Sequence, residues 1–169
     1  MATNEPLAFD PIAEARRQWI AHGWEDAAGG MAAVTSLVRA HQILVSRVDK
    51  VLAPHQLTFS RFEVLVLLSF TRRGAMAMGR MSSRLQVAPG SVTNAVARLE
   101  RQGLVKRTSH PTDGRATLAE ITPEGRRLSA QATADVNAEV FMTLGLTDAE
   151  QAQLFHLLGK IRRLAGDIV

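Results

Sequence analysis

The residues best placed for chemistry in this chain lie between Pro89 and Arg101, where small hydrogen-bonding side chains crowd one side of a helix-like repeat. Val92, Ala95, Val96 and Leu99 fall at i, i+3, i+4 and i+7, which makes one apolar stripe. The opposite side carries Gly90, Asn94, Ala97 and Arg101, flanked by Thr93 and Arg98. Ser91, Thr93 and Asn94 can donate and accept near the first turn. An Asn amide matches the edge of adenine, and the Arg98 guanidinium matches guanine or a phosphate. Gly103 ends the helix, and the cationic run Leu104-Val105-Lys106-Arg107 begins an extended segment. A helix kept slim and polar outside, beside a cationic hairpin, suits the grooves of duplex DNA. The plainer reading of Thr93 and Asn94 is an ordinary exposed helix face.

Charge distribution supports the nucleic-acid reading. From Thr71 to Arg127 there are eleven Lys/Arg against four Asp/Glu, a net of +7, while the rest of the chain nets −3 to give the overall +4. A basic middle third on an acidic frame is the footprint of a nucleic-acid module in a scaffold, or else a solvated charged face. Within it, Arg72, Arg73 and Arg80 are suited to clamp a phosphate backbone and set register rather than read sequence. Arg72 and Arg73 equally suit a helix C-terminus, which favours cations whatever the ligand.

The absence of cysteine excludes disulfides and thiolate metal sites, and the five scattered histidines lack metal-ligand spacing, so no metal or other cofactor is expected. No Walker loop, G-x-S-x-G or H-E-x-x-H is present, and no carboxylate pair stands beside a nucleophile, so no catalytic residue is assigned. The N-terminal MATNEPLAFD does not read as a secretory signal, and the longest apolar run, Val64 to Leu68, is too short to span a bilayer. A soluble cytoplasmic protein that does not engage membranes is expected.

Elements that could hold these residues follow from periodicity. Residues 1–10 read as disordered. A short helix starts at Pro11 and stops near His22-Gly23, and Gly29-Gly30 then breaks the chain. Val34, Leu37, His41, Leu44, Val48 and Leu52 define a long helix that Pro54 ends. Thr58 caps the next helix, with Phe62, Leu65, Val66 and Leu68 buried and Arg72-Arg73-Gly74 closing it. Met78, Met81 and Leu85 mark a third, and Pro89 suits the first position of a fourth. Two strands, from Leu104 to Ser109 and from Thr117 to Ile121, flank His110-Pro111-Thr112-Asp113-Gly114-Arg115, whose Pro and Asp-Gly signal a turn. The module is therefore a winged helix-turn-helix. Two helices follow, one with Leu128, Ala132, Val136, Val140 and Leu144 every four residues, the other opened by a Thr147–Glu150 capping box and lined by Leu154, Leu157, Leu158, Ile161 and Leu164.

The fold class is thus mainly α with a small β-hairpin wing (α+β). Its parts are an N-terminal extension over 1–30, a helical dimerisation region over 31–56 and 123–169, and a DNA-binding module over 57–122. The long helices carry apolar stripes wider than one small module can cover, which predicts a two-fold homodimer that buries them isologously. Two reading helices about 34–36 Å apart would then match a palindromic operator in double-stranded DNA.

This order of elements resembles the MarR family of bacterial transcriptional regulators. The resemblance is carried by LTFSRFEVLVLL from Leu57, PGSVTNAVARLERQGLVKR from Pro89 and PTDGRATLAEITPEGRRL from Pro111. It implies a dimeric, nucleoid-associated repressor or activator, released in many members by a small phenolic or anionic effector. It also sends Arg115 into the minor groove; Asp113, which would repel phosphate if left free, suits a charge-assisted hydrogen bond that orients Arg115 across Gly114, or another arginine. Ala88 stands where members often have Ser, and Gly90 adds a helix-interior cost of up to about 1 kcal/mol. Trp19 and Trp24 in the extension resemble the urate-responsive branch, in which a first-helix tryptophan binds ligand, although Glu63 stands where that branch has Asp. Trp19 can instead pack on the dimer core. His41 is either a core histidine or part of the same pocket. The competing functional class is a winged helix that binds protein without reading DNA.

Replacing Arg115 by Ala should weaken duplex binding in a gel shift and lower the slope of log affinity against log salt by about 1. Unchanged affinity and slope would remove Arg115 from the interface.

Overall fold

The computed structural model describes residues 7–109 and 117–169. These form two compact units, Met1–Asp49 and Lys50–Val169. Asp113, Gly114 and Arg115 lie outside the described residues.

In the first unit, α1 spans Pro11–Ala21. Asp10 is its N-cap: its carboxylate accepts from the Ile12 N–H at 2.9 Å, so Asp10, the last residue of the stretch that reads as disordered, is fixed at the start of the helix. Helix α2 spans Glu25–Leu52 without interruption. The expected break at Gly29-Gly30 does not occur. Each glycine costs up to about 1 kcal/mol in a helix interior, and a 28-residue helix absorbs two such costs. Nothing lies within 4 Å of where a Cβ would sit on either.

The second unit is built on α3 (Phe59–Ser69), which packs against the three helices that follow it and against the sheet. Phe62, Val64, Leu65 and Leu68 are its buried residues. Val64 takes the place expected of Val66, which is only half-buried. The helix is covered on more than one side, so a single stripe underestimates its inward face. Thr58 occupies the N-cap position, but its hydroxyl makes no backbone cap and instead accepts from Arg61 Nε at 3.2 Å. Before it, Pro54 sits in a 3₁₀ turn, Ala53–His55, closed by a left-handed Gln56.

Helix α4 (Met78–Leu85) and helix α5 (Pro89–Arg101) complete the helix-turn-helix. The α5 stripe is Val92, Ala95, Val96 and Leu99, all buried as its spacing requires. The wing has three strands rather than two. β1 (Ala75–Ala77) joins β2 (Val105–Ser109) and β3 (Thr117–Ile121) in an antiparallel sheet of order β1-β3-β2. β1 pairs Met76 with Ala119 on the central strand. Three residues are too few to show a two-residue period, which is why the sequence hides this strand.

Helix α6 (Pro123–Val136) opens at Thr122, whose hydroxyl accepts from Gly125 N at 3.0 Å and donates to Gly103 O at 2.8 Å. A Cβ on Gly125 would stand 2.0 Å from the Leu104 carbonyl oxygen, so only glycine lets α6 start against β2. After Val136 the helix widens into a π turn, Asn137–Phe141, with Met142 N bonded to Asn137 O. A stripe recurring every four residues drifts round a 3.6-residue helix, and the wider turn keeps Val140 buried beside Val136 and Ala132. Helix α7 (Asp148–Leu164) carries the expected capping box between Thr147 and Glu150. These contacts hold the Glu150 carboxyl below the usual carboxylate range, the Thr147 backbone N–H contributing most. Most of its apolar stripe faces solvent: Leu154, Leu157, Ile161 and Leu164 are exposed, Leu158 is half-buried, and only Gly159 on this helix is buried.

Substitution should separate these glycines. Gly125→Ala should cost at least about 2 kcal/mol in a denaturant melt. Gly30→Ala, in an exposed helix with open space at Cβ, should stabilise by about 0.4–1 kcal/mol. Equal effects at the two positions would contradict the packing described.

Candidate nucleic-acid interface

Helix α5 exists because its inner stripe is buried, and that burial turns Gly90, Ser91, Thr93, Asn94, Arg98 and Arg101 outward, all exposed. Pro89 occupies the first turn, where a missing N–H costs nothing. Ala88 is the N-cap residue and supplies no side-chain bond, as its methyl requires. The first-turn N–H groups are therefore uncapped by any side chain. Thr93 hydroxyl donates back to Pro89 O at 3.0 Å, which commits its proton and leaves its lone pairs. Arg98 Nε lies 3.4 Å from Asn94 Oδ1, a long contact that aligns the two side chains. Ser91, Asn94 and Arg98 line a groove of about 370 Å³ with Thr58, Ser60 and Arg61 from the start of α3.

Three sets of bonds set the pose of this helix. Arg107 Nη2 donates to Thr93 O at 3.3 Å, and Arg107 also meets Glu100 through its backbone N–H at 3.2 Å and its Nε at 3.4 Å. At the other end, Gln102 Nε2 donates to Gln56 O, and Arg61 reaches Gln102 Oε1. The α4–α5 turn is held by Gln86, whose left-handed backbone (φ 54) presents its amide to the end of α7. Gln86 Nε2 donates to Asp167 Oδ1 and Gln86 Oε1 accepts from Arg162 Nη2, each at 2.9 Å, while Arg162 and Asp167 pair at 2.6 Å.

These partners revise the basic hairpin. Lys106 is paired with Glu120 at 3.1 Å and Arg107 with Glu100, so the first cations of the wing are engaged within the protein. Sequence reasoning assigned them no internal partner, because Glu120 and Glu100 are neighbours only across the strand pair and at the helix–strand junction. Arg72 and Arg73 lie exposed beyond α3, next to Gly74 (φ +68), and Arg80 is exposed on α4. Arg73 and Arg80 line one cavity, with Arg84, on a different part of the unit from the α5 groove.

This fold matches known proteins closely. A model described as "MarR family" matches residues 57–117. The Streptomyces coelicolor MarR family transcriptional regulator Sco5413 is 43% identical, with a TM-score of 0.75 over 83% of this chain and 98% of that one. The chain belongs to the MarR family. The Bacillus subtilis HTH-type transcriptional regulator MhqR is 30% identical over 118 residues, covering 70% of this chain and 80% of that protein. A variant of MarR from E. coli, solved in complex with operator DNA, is 26% identical with a TM-score of 0.69 over 75% of this chain and 91% of that one. This MarR family member is a transcriptional regulator and not an enzyme.

The residues considered for a ligand are less unified. In the first unit, Trp19 is half-buried and meets Trp24 edge-on at 5.3 Å, while Trp24 stacks with His22 at 5.6 Å. His41 is exposed on α2 rather than sitting in a protomer core. In the second unit, Glu63 is half-buried on α3, and desolvation holds its carboxyl above the usual carboxylate range. A raised carboxyl pKa means the folded state favours the proton. Its stabilising contribution is present below the unfolded value, about 4.3, and is lost as pH rises through the folded value. Melting temperatures of the native chain relative to Glu63→Gln should therefore fall as pH is raised from about 4 to 7. A pH-independent difference would contradict the desolvated setting of Glu63.

Proposed function

We propose that the chain acts as a homodimeric, sequence-specific DNA-binding repressor that lets go of its operator when a small anionic or aromatic molecule binds. The outward face of α5 carries the reading. It is narrow, rich in hydrogen-bonding groups and free of internal carboxylate partners among the described residues. Asn94 and Arg98 contact base edges, and Ser91 and Thr93 contact bases or phosphate. The uncapped first turn offers the Gly90 backbone N–H to a phosphate, since Pro89 has none and the Ser91 N–H already meets Ala88 O at 2.9 Å, and the hydrogen at Gly90 Cα permits that approach. This gives the weak N-cap a use. Arg72, Arg73 and Arg80 hold the flanking backbone, and Arg115, oriented by Asp113 beside Gly114, enters the minor groove.

The dimer reading rests on exposed apolar surface. Phe155 is 75% and Leu164 92% exposed on α7, and Val34 and Val38 on α2 are 62% and 51% exposed. Single exposed apolar residues are ordinary, but runs along whole helices mark an interface. Residues 31–56 and 123–169 would supply it, 57–122 the reading head, and 1–30 an extension whose Trp19, with His41 and Glu63, contributes to effector response. The solved complex of the E. coli MarR variant with operator DNA supports the DNA reading.

The test is a gel shift on the duplex flanking the protein's own gene, with stoichiometry from analytical ultracentrifugation. Two chains per duplex and an affinity that falls steeply with salt are expected. Leu157→Glu should yield monomers that bind DNA at least about tenfold more weakly, a loss of about 1.4 kcal/mol. Failure to bind any duplex at low salt would overturn the proposal.

A further inference from the structure

The cavity lined by Arg73, Arg80 and Arg84 is distinct from the α5 groove, and it combines a sizeable volume with unpaired positive charge. Its volume is about 550 Å³, within the range of small-molecule sites. Arg80 and Arg84 are one helical turn apart on α4, and Arg73 approaches from the turn before β1. No carboxylate lines it, and none of the three guanidiniums has a hydrogen bond or ion pair among the described residues. Apart from Thr71, whose hydroxyl donates to Leu68 O, the other walls are apolar, with Leu67 and Phe70 at the end of α3 and Leu118 from β3. Phe70 is 80% exposed, an aromatic ring beside uncompensated cations.

We infer that this cavity binds an organic phosphate monoester with an aromatic body, the phosphate held by Arg73, Arg80 and Arg84 and the ring laid against Phe70, Leu67 and Leu118. A phosphate monoester carries roughly −1.5 to −2 charges and three acceptor oxygens, which suits three guanidinium forks better than a monoanion does. The phosphodiester of DNA would meet the arginines but leave the apolar walls uncovered. Arg73 and Arg80 are also assigned to the DNA backbone above, so occupancy withdraws two phosphate clamps. That consequence rests on the DNA-binding reading, whereas binding itself does not.

Phenyl phosphate titrated into the full chain without DNA, followed by calorimetry, tests the site. One saturable site per chain is expected. Arg84→Ala, which removes a cation assigned no DNA contact, should weaken it at least about tenfold, as loss of a charged hydrogen bond does. Phe70→Ala should weaken phenyl phosphate while leaving inorganic phosphate unchanged. Both side chains are exposed, so both variants should fold. No saturable binding, binding indifferent to Arg84→Ala, or equal affinity for inorganic phosphate would overturn the inference. If phenyl phosphate binds as described but leaves the gel shift unmoved, the coupling is overturned and the site stands. If no duplex is bound at all, the functional reading fails and the calorimetric result still decides the site.

Discussion

The carbonyl of Leu104 is the point on which the second unit turns. It accepts the Thr122 N–H at 3.0 Å and lies where any side chain on residue 125 would collide. The Thr122 hydroxyl meanwhile ties Gly103 O to the first turn of α6. Four elements meet there: the end of α5, the start of β2, the end of β3 and the start of α6. Because the contacts are backbone to backbone or through one short hydroxyl, there is no long side chain to take up slack. The direction of α5 is thereby coupled to α6, and the Ile-Thr-Pro-Glu-Gly stretch is a packing device.

The same framework sorts the basic residues into two groups. Lys106, Arg107 and Arg127 are paired with Glu120, Glu100 and Glu124, and Arg126 reaches Ser69 O. Exposed pairs of this kind add little stability, with a median of about 0–1 kcal/mol. Their effect is geometric: Arg107 fixes the wing base to the backbone of α5, as Arg162 and Asp167 fix the turn before it. Of the arginines without a carboxylate partner among the described residues, Arg98 and Arg101 lie on α5, while Arg73, Arg80 and Arg84 gather on one cavity. A net charge counted along the chain cannot tell these groups apart.

Where periodicity was strong, the sequence was readable. Four residues at helical spacing specify which side of α5 is buried, and hence which side is presented, because a 3.6-residue repeat has a single inward face. The Thr147–Glu150 box and the Thr122-Pro123 start are local hydrogen-bond patterns that need no distant partner. The reading failed where distant parts decide the outcome. β1 exists because β3 offers it an edge, α2 continues through Gly29-Gly30 because a long helix outweighs a local preference, and Val64 is buried because α3 is covered from more than one direction.

By itself, then, the sequence determined the identity and order of the helices, the polar face of α5 and membership of a winged-helix family, all of which follow from short-range spacing. Only the tertiary structure decided which cations are spent on internal carboxylates, how the helix-turn-helix is braced through Arg107 and Gln86, and that Arg73, Arg80 and Arg84 share a cavity with Phe70. Those outcomes depend on contacts between residues far apart in the chain, such as Gln86 with Asp167. Spacing carries no information about them until the backbone has folded.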